Sequence, residues 1–182
     1  MSLLVAPLKV SWDLASRVRE SALLEGDFVL SSGRRSRYYV DKYLFSTEPG
    51  LLRDLAREIS ERLPDGAQRL AGVELGGVPL VAAVSLRSGL PYSIVRKAAK
   101  GYGTGRRIEG YTPSRKRVAL IEDVVTTGTQ VLAGAEALEE AGAEVLGIVA
   151  VLDRREEVAP GLGGYPFEAL LRMEDLGIRN PD

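Results

Sequence analysis

The sequence contains neither cysteine nor histidine among its 182 residues. Without cysteine the chain forms no disulfide, and thiol catalysis and cysteine-based metal sites are excluded. Without histidine it lacks the commonest general base near neutral pH and the commonest transition-metal ligand. We therefore expect any bound metal to be a hard cation held by oxygen atoms, such as Mg²⁺.

Strong charge of one sign and long apolar runs are also missing. The chain has 24 Lys and Arg against 25 Asp and Glu, so it is not an electrostatic binder of nucleic acid as a whole. No apolar run is long enough to span a membrane, and residues 1–10 do not resemble a secretion signal. These features predict a cytoplasmic protein without nucleic-acid or membrane partners. The 45 % hydrophobic content suffices for the core of one domain, residues 1–182.

The most informative stretch runs from Val118 to Thr129. Four apolar residues predict a buried strand, the carboxylates Glu122 and Asp123 follow at its end, and residues 126–129 form a turn. Apolar residues at helical spacing come next: Val131, Leu132, Ala135 and Leu138. The N–H groups of the turn and the helix dipole could hold a phosphate, which Gly128 would let approach closely. The alternative is a plain strand-to-helix loop with helix-capping residues.

A second candidate anion site lies after the predicted strand Leu70–Val73. Gly76 and Gly77 precede a predicted helix, Leu80–Ser88, and two glycines at a helix start allow a ligand to approach the backbone. A tight turn that simply requires glycine explains this pattern equally well.

A basic, glycine-rich segment follows the predicted strand Tyr92–Val95. Residues 96–110 contain five basic residues and four glycines, with almost nothing to bury. We expect residues 97–110 to be mobile in the free protein and suited to closing over a polyphosphate. The alternatives are a disordered, solvated loop or a basic patch for nucleic acid.

The remaining pattern predicts a helix over about 12–24, a β-hairpin with strands at 28–30 and 38–40, and a helix that starts near Ser46. Strands are predicted at 145–152 and 166–171. The alternation of strands and helices from residue 70 onward indicates an α/β fold with a central parallel sheet flanked by helices.

Over nearly its whole length the chain resembles the orotate phosphoribosyltransferases, which have the type I phosphoribosyltransferase fold. Glu122–Thr129 resembles their phosphoribosyl-diphosphate motif, and Gly76–Pro79 resembles their diphosphate loop. Arg96–Lys100 resembles the basic motif of the catalytic loop, and Phe28–Asp41 resembles the hood that covers the base. Asp153-Arg154 matches the position whose arginine contacts orotate.

The resemblance implies a mainly parallel central sheet with a small hood, formed by about residues 1–45 with C-terminal contributions. It also implies transfer of phosphoribosyl from 5-phosphoribosyl 1-diphosphate to orotate, giving orotidine 5′-monophosphate and diphosphate in pyrimidine biosynthesis. Mg²⁺ would be the cofactor. The enzyme would be a homodimer whose catalytic loop, about residues 97–110, serves the partner subunit.

The resemblance also carries roles to individual residues. The implied catalytic residues are Asp123, Glu122, Lys100, Lys97 and Arg96. The implied ligands of phosphoribosyl diphosphate are Val124, Val125, Thr126, Thr127, Gly128, Thr129, Gly76, Gly77 and Tyr102. The implied orotate-binding residues are Arg154, Thr126, Tyr38, Tyr39 and Lys42. Mg²⁺ would be held mainly by the substrate, with Glu122 and Asp123 as candidate protein ligands.

The chain departs from the family pattern at three positions. Many members carry a histidine near the place of Tyr102, and lysines at the places of Gly76 and Ser31. Lys42 is a candidate source of the missing positive charge. Two alternatives stay open: a phosphoribosyltransferase for another base, or a non-catalytic nucleotide- or RNA-binding regulator on the same fold.

Overall fold

The structure is a computed structural model that describes residues 12–29, 33, 35–98, 107–155 and 161–178. The helices are α1 Trp12–Ala22, α2 Lys42–Thr47, α3 Pro49–Ser60, α4 Gly77–Ser88 and α5 Thr129–Glu140. The strands are β1 Leu23–Val29, β2 Arg35–Val40, β3 Arg69–Val73, β4 Tyr92–Val95, β5 Ile108–Gly110, β6 Arg117–Val125, β7 Glu144–Asp153 and β8 Phe167–Arg172. Within the described ranges, no helix combines the length and the apolar character needed to cross a membrane.

Six strands form the central sheet in the order β5-β4-β3-β6-β7-β8. All neighbouring pairs are parallel except β4 and β5, which are antiparallel. This confirms the predicted α/β architecture. Because parallel strands end at the same edge, the segments that follow β3, β4, β6 and β7 meet at one edge of the sheet, where ligands bind in such folds.

Both faces of the sheet are covered, which explains why β6 is almost continuously apolar. Ile121 belongs to the core shared with α1, α3 and α4, whereas its neighbour Leu120 belongs to the core beneath α5. Both side chains are fully buried. This double burial makes β6 a rigid support for the residues at its carboxyl end.

The N-terminal hairpin of β1 and β2 is a separate two-stranded sheet. It is attached through α1, whose Leu14 and Val18 are buried in the same core as Leu176 near the C-terminus. Arg19 also donates a hydrogen bond to the Leu176 carbonyl. The hairpin is therefore anchored by both ends of the described chain.

Several local predictions were wrong. Leu23 and Leu24, predicted to end the first helix, belong to β1 because they pair with β2. Glu122 and Asp123 do not follow the strand but lie within it, because β6 remains paired with β7 as far as Val125. In the segment predicted to be mobile, Ile108–Gly110 pairs with β4 as an edge strand, while residues 99–106 lie outside the described ranges. The predicted helix at Leu80 begins three residues earlier, at Gly77.

The short helix α2 was not predicted at all. It directly follows the hairpin, and Asp41 caps it by accepting a hydrogen bond from the Tyr43 N–H at 3.0 Å. Six residues are too few to show a helical pattern of apolar positions. This helix matters for the candidate site, because it begins with Lys42, one of the residues predicted to bind orotate.

Candidate active site

The turn between β6 and α5 lines a small cavity. The cavity has a volume of about 70 Å³ and is lined by Glu122 and by residues 124–131. Gly128 caps α5 without a side chain, so the first N–H groups of the helix have no capping oxygen from that residue. The hydroxyls of Thr127 and Thr129 lie 2.9 Å apart beside them. The turn therefore presents backbone and hydroxyl donors to one point, as a phosphate requires.

Gly128 is needed at this turn for two reasons. Its φ of 82° lies in the left-handed region that favours glycine. A Cβ atom there would also come within 2.8 Å of Leu162 Cδ1. The sequence pointed to Gly128 through its place in the motif, but nothing in the sequence signalled that Leu162 packs against it.

The two carboxylates of β6 have different surroundings. Glu122 is 6 % exposed and lines the cavity at this turn, and its Oε1 accepts a hydrogen bond from the Asp123 N–H at 3.0 Å. Burial raises the pKa of Glu122 well above its ordinary value, and the negative charge of Asp123 raises it further. Asp123 is 1 % exposed, and its Oδ1 accepts a hydrogen bond from the Val124 N–H at 2.5 Å.

The other oxygen of Asp123 faces Lys42 and Gly76. Lys42 Nζ lies 2.8 Å from Asp123 Oδ2, which forms an ion pair between α2 and β6. Burial lowers the pKa of Lys42, but the contact with Asp123 and its negative charge outweigh burial, so the pKa is raised overall. A Cβ atom on Gly76 would come within 1.4 Å of the same oxygen. A side chain at Gly76 therefore has no room in this chain while Asp123 keeps its position.

The two arginines after β7 look alike in sequence but differ in structure. Arg155 donates to both carboxylate oxygens of Asp153 at 3.0 and 2.9 Å and to the Gly161 carbonyl at 3.0 Å. Its guanidinium also lies 4.5 Å from the centre of the Phe167 ring. In Arg154 the Nε atom is buried and has no hydrogen-bond partner among the described residues. Arg154 is thus the one available to bind an anion.

The hood reaches the same edge of the sheet. Burial lowers the pKa of Arg154, and an electrostatic interaction with Tyr39 partly offsets this effect. Tyr39 is 41 % exposed and its ring lies 5.5 Å from that of Phe28. Tyr38, its neighbour on β2, packs instead against the core. The hairpin therefore brings Tyr39, rather than Tyr38, toward Arg154.

The start of the basic segment is fastened to the turn after β3. The Lys97 N–H donates to Glu74 Oε1 at 2.7 Å, and the Glu74 N–H donates to the Val95 carbonyl at 2.8 Å. The Arg96 N–H bonds the Arg107 carbonyl at 2.9 Å, which closes the base of the segment. Nothing in the sequence pointed to Glu74. The peptide bond that follows it, Glu74–Leu75, is cis.

Comparison with known proteins identifies the family. Residues 49–162 match the phosphoribosyl transferase domain. An orotate phosphoribosyltransferase of Methanocella arvoryzae is 50 % identical over 153 residues, which cover 83 % of this chain and 87 % of that protein. The chain belongs to the orotate phosphoribosyltransferase family.

Solved structures of the orotate phosphoribosyltransferase family confirm the fold. The Aeropyrum pernix protein superposes with a TM-score of 0.76 at 33 % identity, covering 90 % of this chain and 95 % of that one. The Mycobacterium tuberculosis protein, crystallised with 5-phospho-α-D-ribosyl 1-diphosphate, gives a TM-score of 0.75 at 30 % identity, covering 92 % and 98 %. The resemblance inferred from the motifs is therefore confirmed.

The roles of individual residues stay predictions within this family assignment. The described candidates at or beside the carboxyl edge of the sheet are Lys42, Gly76, Gly77, Arg96, Lys97, Glu122, Asp123, Val124, Val125, Thr126, Thr127, Gly128, Thr129 and Arg154. Lys100 and Tyr102 lie outside the described residues. The structure adds three supporting residues. Glu74 accepts a hydrogen bond from the Lys97 N–H, Arg155 bonds Asp153 next to Arg154, and Leu162 packs against Gly128.

Proposed function

We propose that this chain transfers the 5-phosphoribosyl group from 5-phosphoribosyl 1-diphosphate to orotate, releasing diphosphate. The observation that carries the proposal is the start of α5, where the N-cap residue Gly128 supplies no side-chain oxygen, beside two buried carboxylates on β6. A helix start of this kind holds a phosphate, and carboxylates beside it can accept hydrogen bonds from sugar hydroxyls. Arg154, whose buried Nε has no hydrogen-bond partner among the described residues, supplies a binding partner for the carboxylate of orotate.

The chemistry needs charge stabilisation more than proton transfer, so the absence of histidine is no obstacle. Breaking the bond from the ribose C1′ to the diphosphate develops positive charge on the sugar, as in glycoside cleavage. Glu122 and Asp123 would stabilise this charge from fixed positions. The N–H groups of residues 126–129 would hold the 5′-phosphate, which supplies binding energy remote from the reacting bond.

The base site combines Arg154 with the hood. The guanidinium of Arg154 would pair with the orotate carboxylate, and the partly exposed ring of Tyr39 would lie against the base. Arg96, at the end of β4, also has a buried Nε without a hydrogen-bond partner among the described residues. Its position at the mouth of the basic segment suits the leaving diphosphate.

The residues present fit a Mg²⁺ ion that is bound mainly through the substrate. Glu122 and Asp123 offer the oxygen ligands that Mg²⁺ prefers. Across the described ranges, however, no three acidic side chains lie close enough together to hold a metal by themselves. Mg²⁺ would supply charge neutralisation for the diphosphate. The protein side chains would orient the sugar.

The catalytic loop would act in a homodimer, with the loop of one subunit serving the site of its partner. Two observations support this arrangement: the polar, glycine-rich composition of residues 97–110 and the position of β5 as the edge strand of the sheet. Loop cations such as Lys97 and Lys100 would then stabilise the leaving diphosphate across the interface.

A turnover assay with four bases tests the proposed function. Purified protein would be given phosphoribosyl diphosphate, Mg²⁺ and either orotate, uracil, adenine or hypoxanthine, and the nucleotide formed would be measured by chromatography. Of the four bases, we expect only orotate to give a nucleotide product. Product with a purine but none with orotate would support the alternative of another base, and no product with any base would support a binding protein without turnover.

One substitution ties this activity to the site. Asp123→Asn should lower kcat by ~10²–10³-fold, the typical loss of one preorganised electrostatic partner. Asp65→Asn, on an exposed turn outside the site, makes the same chemical change and should leave kcat unaltered. Wild-type kcat in Asp123→Asn would remove this carboxylate from the mechanism.

A further inference from the structure

Lys42 connects the hood to the buried carboxylate of Asp123 on β6. It is the first residue of α2 and follows the hood strand β2 after the single residue Asp41. Its Nζ lies 2.8 Å from Asp123 Oδ2, and its side chain is 34 % exposed. The hood therefore reaches the end of β6 through one ion pair.

The carboxylate of Asp123 is held from three directions. The Val124 N–H bonds Oδ1 at 2.5 Å, Lys42 contacts Oδ2, and the bare Cα of Gly76 closes the space beside Oδ2. In the described part of the chain Lys42 is the only cation paired with this carboxylate, and the carboxyl group of Glu122 lies next to it. A buried carboxylate that loses its counter-charge in such a place is destabilised and does not keep its position.

We infer that Lys42 is a positioning residue that acts on the donor sugar through Asp123, rather than a ligand of orotate. The inference rests on the proposed function, since it assigns Asp123 to the ribose. A carboxylate has about four lone-pair sites, so Asp123 can keep Lys42 and the Val124 N–H and still accept ribose hydroxyls. The position of the hood then affects how well the enzyme binds the sugar of the donor.

A double-mutant cycle tests whether Lys42 acts on the donor sugar through Asp123. The proteins are wild type, Lys42→Met, Asp123→Asn and the double variant, and calorimetry measures the Kd for phosphoribosyl diphosphate and for ribose 5-phosphate. Lys42→Met should weaken both ligands by about tenfold, the size of losing one charge-assisted contact. With Asp123→Asn already present, Lys42→Met should change either Kd by less than about twofold, because its target is gone.

The KM for orotate distinguishes a Lys42 that acts on the donor sugar from a Lys42 that binds orotate. In steady-state assays Lys42→Met should raise KM for phosphoribosyl diphosphate by about tenfold and KM for orotate by less than about twofold. Lys42→Arg, which keeps the positive charge, should recover most of the loss. A larger effect on orotate than on the donor would overturn the inference and restore Lys42 to the base site.

Two further results would overturn it. If Lys42→Met weakens phosphoribosyl diphosphate but leaves ribose 5-phosphate unaffected, Lys42 contacts the diphosphate directly. If it weakens the ligands equally with and without Asp123→Asn, it acts independently of that carboxylate. Lys116→Met is the matched control, because Lys116 lies directly before the first residue of β6, at the end of the strand away from Asp123. This substitution should alter neither Kd.

Two measurements keep the outcome interpretable. Circular dichroism checks that each variant is folded, and Lys42→Gln replaces Lys42→Met if the apolar side chain prevents folding. Turnover of orotate is measured on the same wild-type preparation. If Lys42 controls ribose 5-phosphate binding but the wild type turns over no orotate, the proposed function fails, and only the coupling of Lys42 through Asp123 to a bound ribose phosphate remains.

Discussion

Replacing Gly76 with alanine tests the geometry of the site most directly. Gly76 has φ −72° and ψ −27°, an ordinary right-handed helical conformation that any residue can adopt. The reason for glycine is therefore space and not backbone freedom. A Cβ atom would lie 1.4 Å from Asp123 Oδ2 and 2.5 Å from its Cγ. The methyl group and the carboxylate cannot occupy their present positions together.

The size of the effect follows from this distance. Ordinary contact with a Cβ begins at 3.4 Å, so Oδ2 must retreat by about 2 Å from the position at which it now contacts Lys42. A misplacement of about 1 Å costs ~10²-fold in rate, so kcat/KM should fall by at least ~10²-fold. Overpacking in a filled site should also lower the free energy of unfolding by roughly 1–3 kcal/mol.

The measurement is orotidine 5′-monophosphate formation, with stability followed by urea denaturation. Gly89→Ala is the matched control, because Gly89 caps the other end of the same helix, α4. It has φ 73° and no atom within 4 Å of the Cβ position, so alanine there should cost ~1–2 kcal/mol of stability without a loss of activity. If Gly76→Ala keeps kcat/KM within about threefold of wild type, the packing argument is wrong.

Three further predictions concern the carboxylates, the base and the loop. Burial, and then the charge of Asp123, raise the pKa of Glu122 above its ordinary 4.5. The folded state therefore binds the carboxyl proton of Glu122 more tightly than the unfolded state does, and the free energy of unfolding falls as pH rises through the folded pKa. Glu122→Gln should thus be more stable than wild type at alkaline pH, with the difference shrinking in acid; a pH-independent difference in urea denaturation would contradict this. Arg154→Ala should raise KM for orotate far more than KM for phosphoribosyl diphosphate, and equal effects would indicate a structural role. Mixing inactive Lys100→Ala and Asp123→Asn subunits should restore roughly a quarter of wild-type activity if loops cross between subunits. Half of the dimers are then mixed, and each mixed dimer has one intact site out of two. If no activity returns although mass spectrometry verifies subunit exchange, each loop serves its own chain.

Local patterns in the sequence predicted most of the fold. The apolar run from Val118 to Ile121 indicated a strand buried on both faces, and β6 is such a strand. The end of that strand was not predictable, because it depends on hydrogen bonds to β7, whose register with β6 no local pattern encodes. The same limit explains why β5, only three residues long, was missed.

The candidate site was predictable in its residue types but not in its contacts. The motif Glu122–Thr129 indicated phosphate and sugar chemistry, yet the partner of Asp123 is Lys42, which is 81 positions away in the sequence. Arg154 and Arg155 are identical in type and adjacent, and only the fold shows that Asp153 and Gly161 engage the second. Such choices depend on three-dimensional distances that sequence spacing does not contain.

The contacts of Arg155 also determine where this chain can be lengthened. Arg155 bonds the Gly161 carbonyl, stacks on Phe167 and is itself fixed by Asp153, so it acts as a non-covalent staple across the chain between 155 and 161. Lengthening a loop whose ends are already held together costs little, about 0.6 kcal/mol for each doubling. An insertion of a fluorescent reporter or an affinity tag between positions 155 and 161 should therefore leave Leu162 and the turn at residues 126–129 in place.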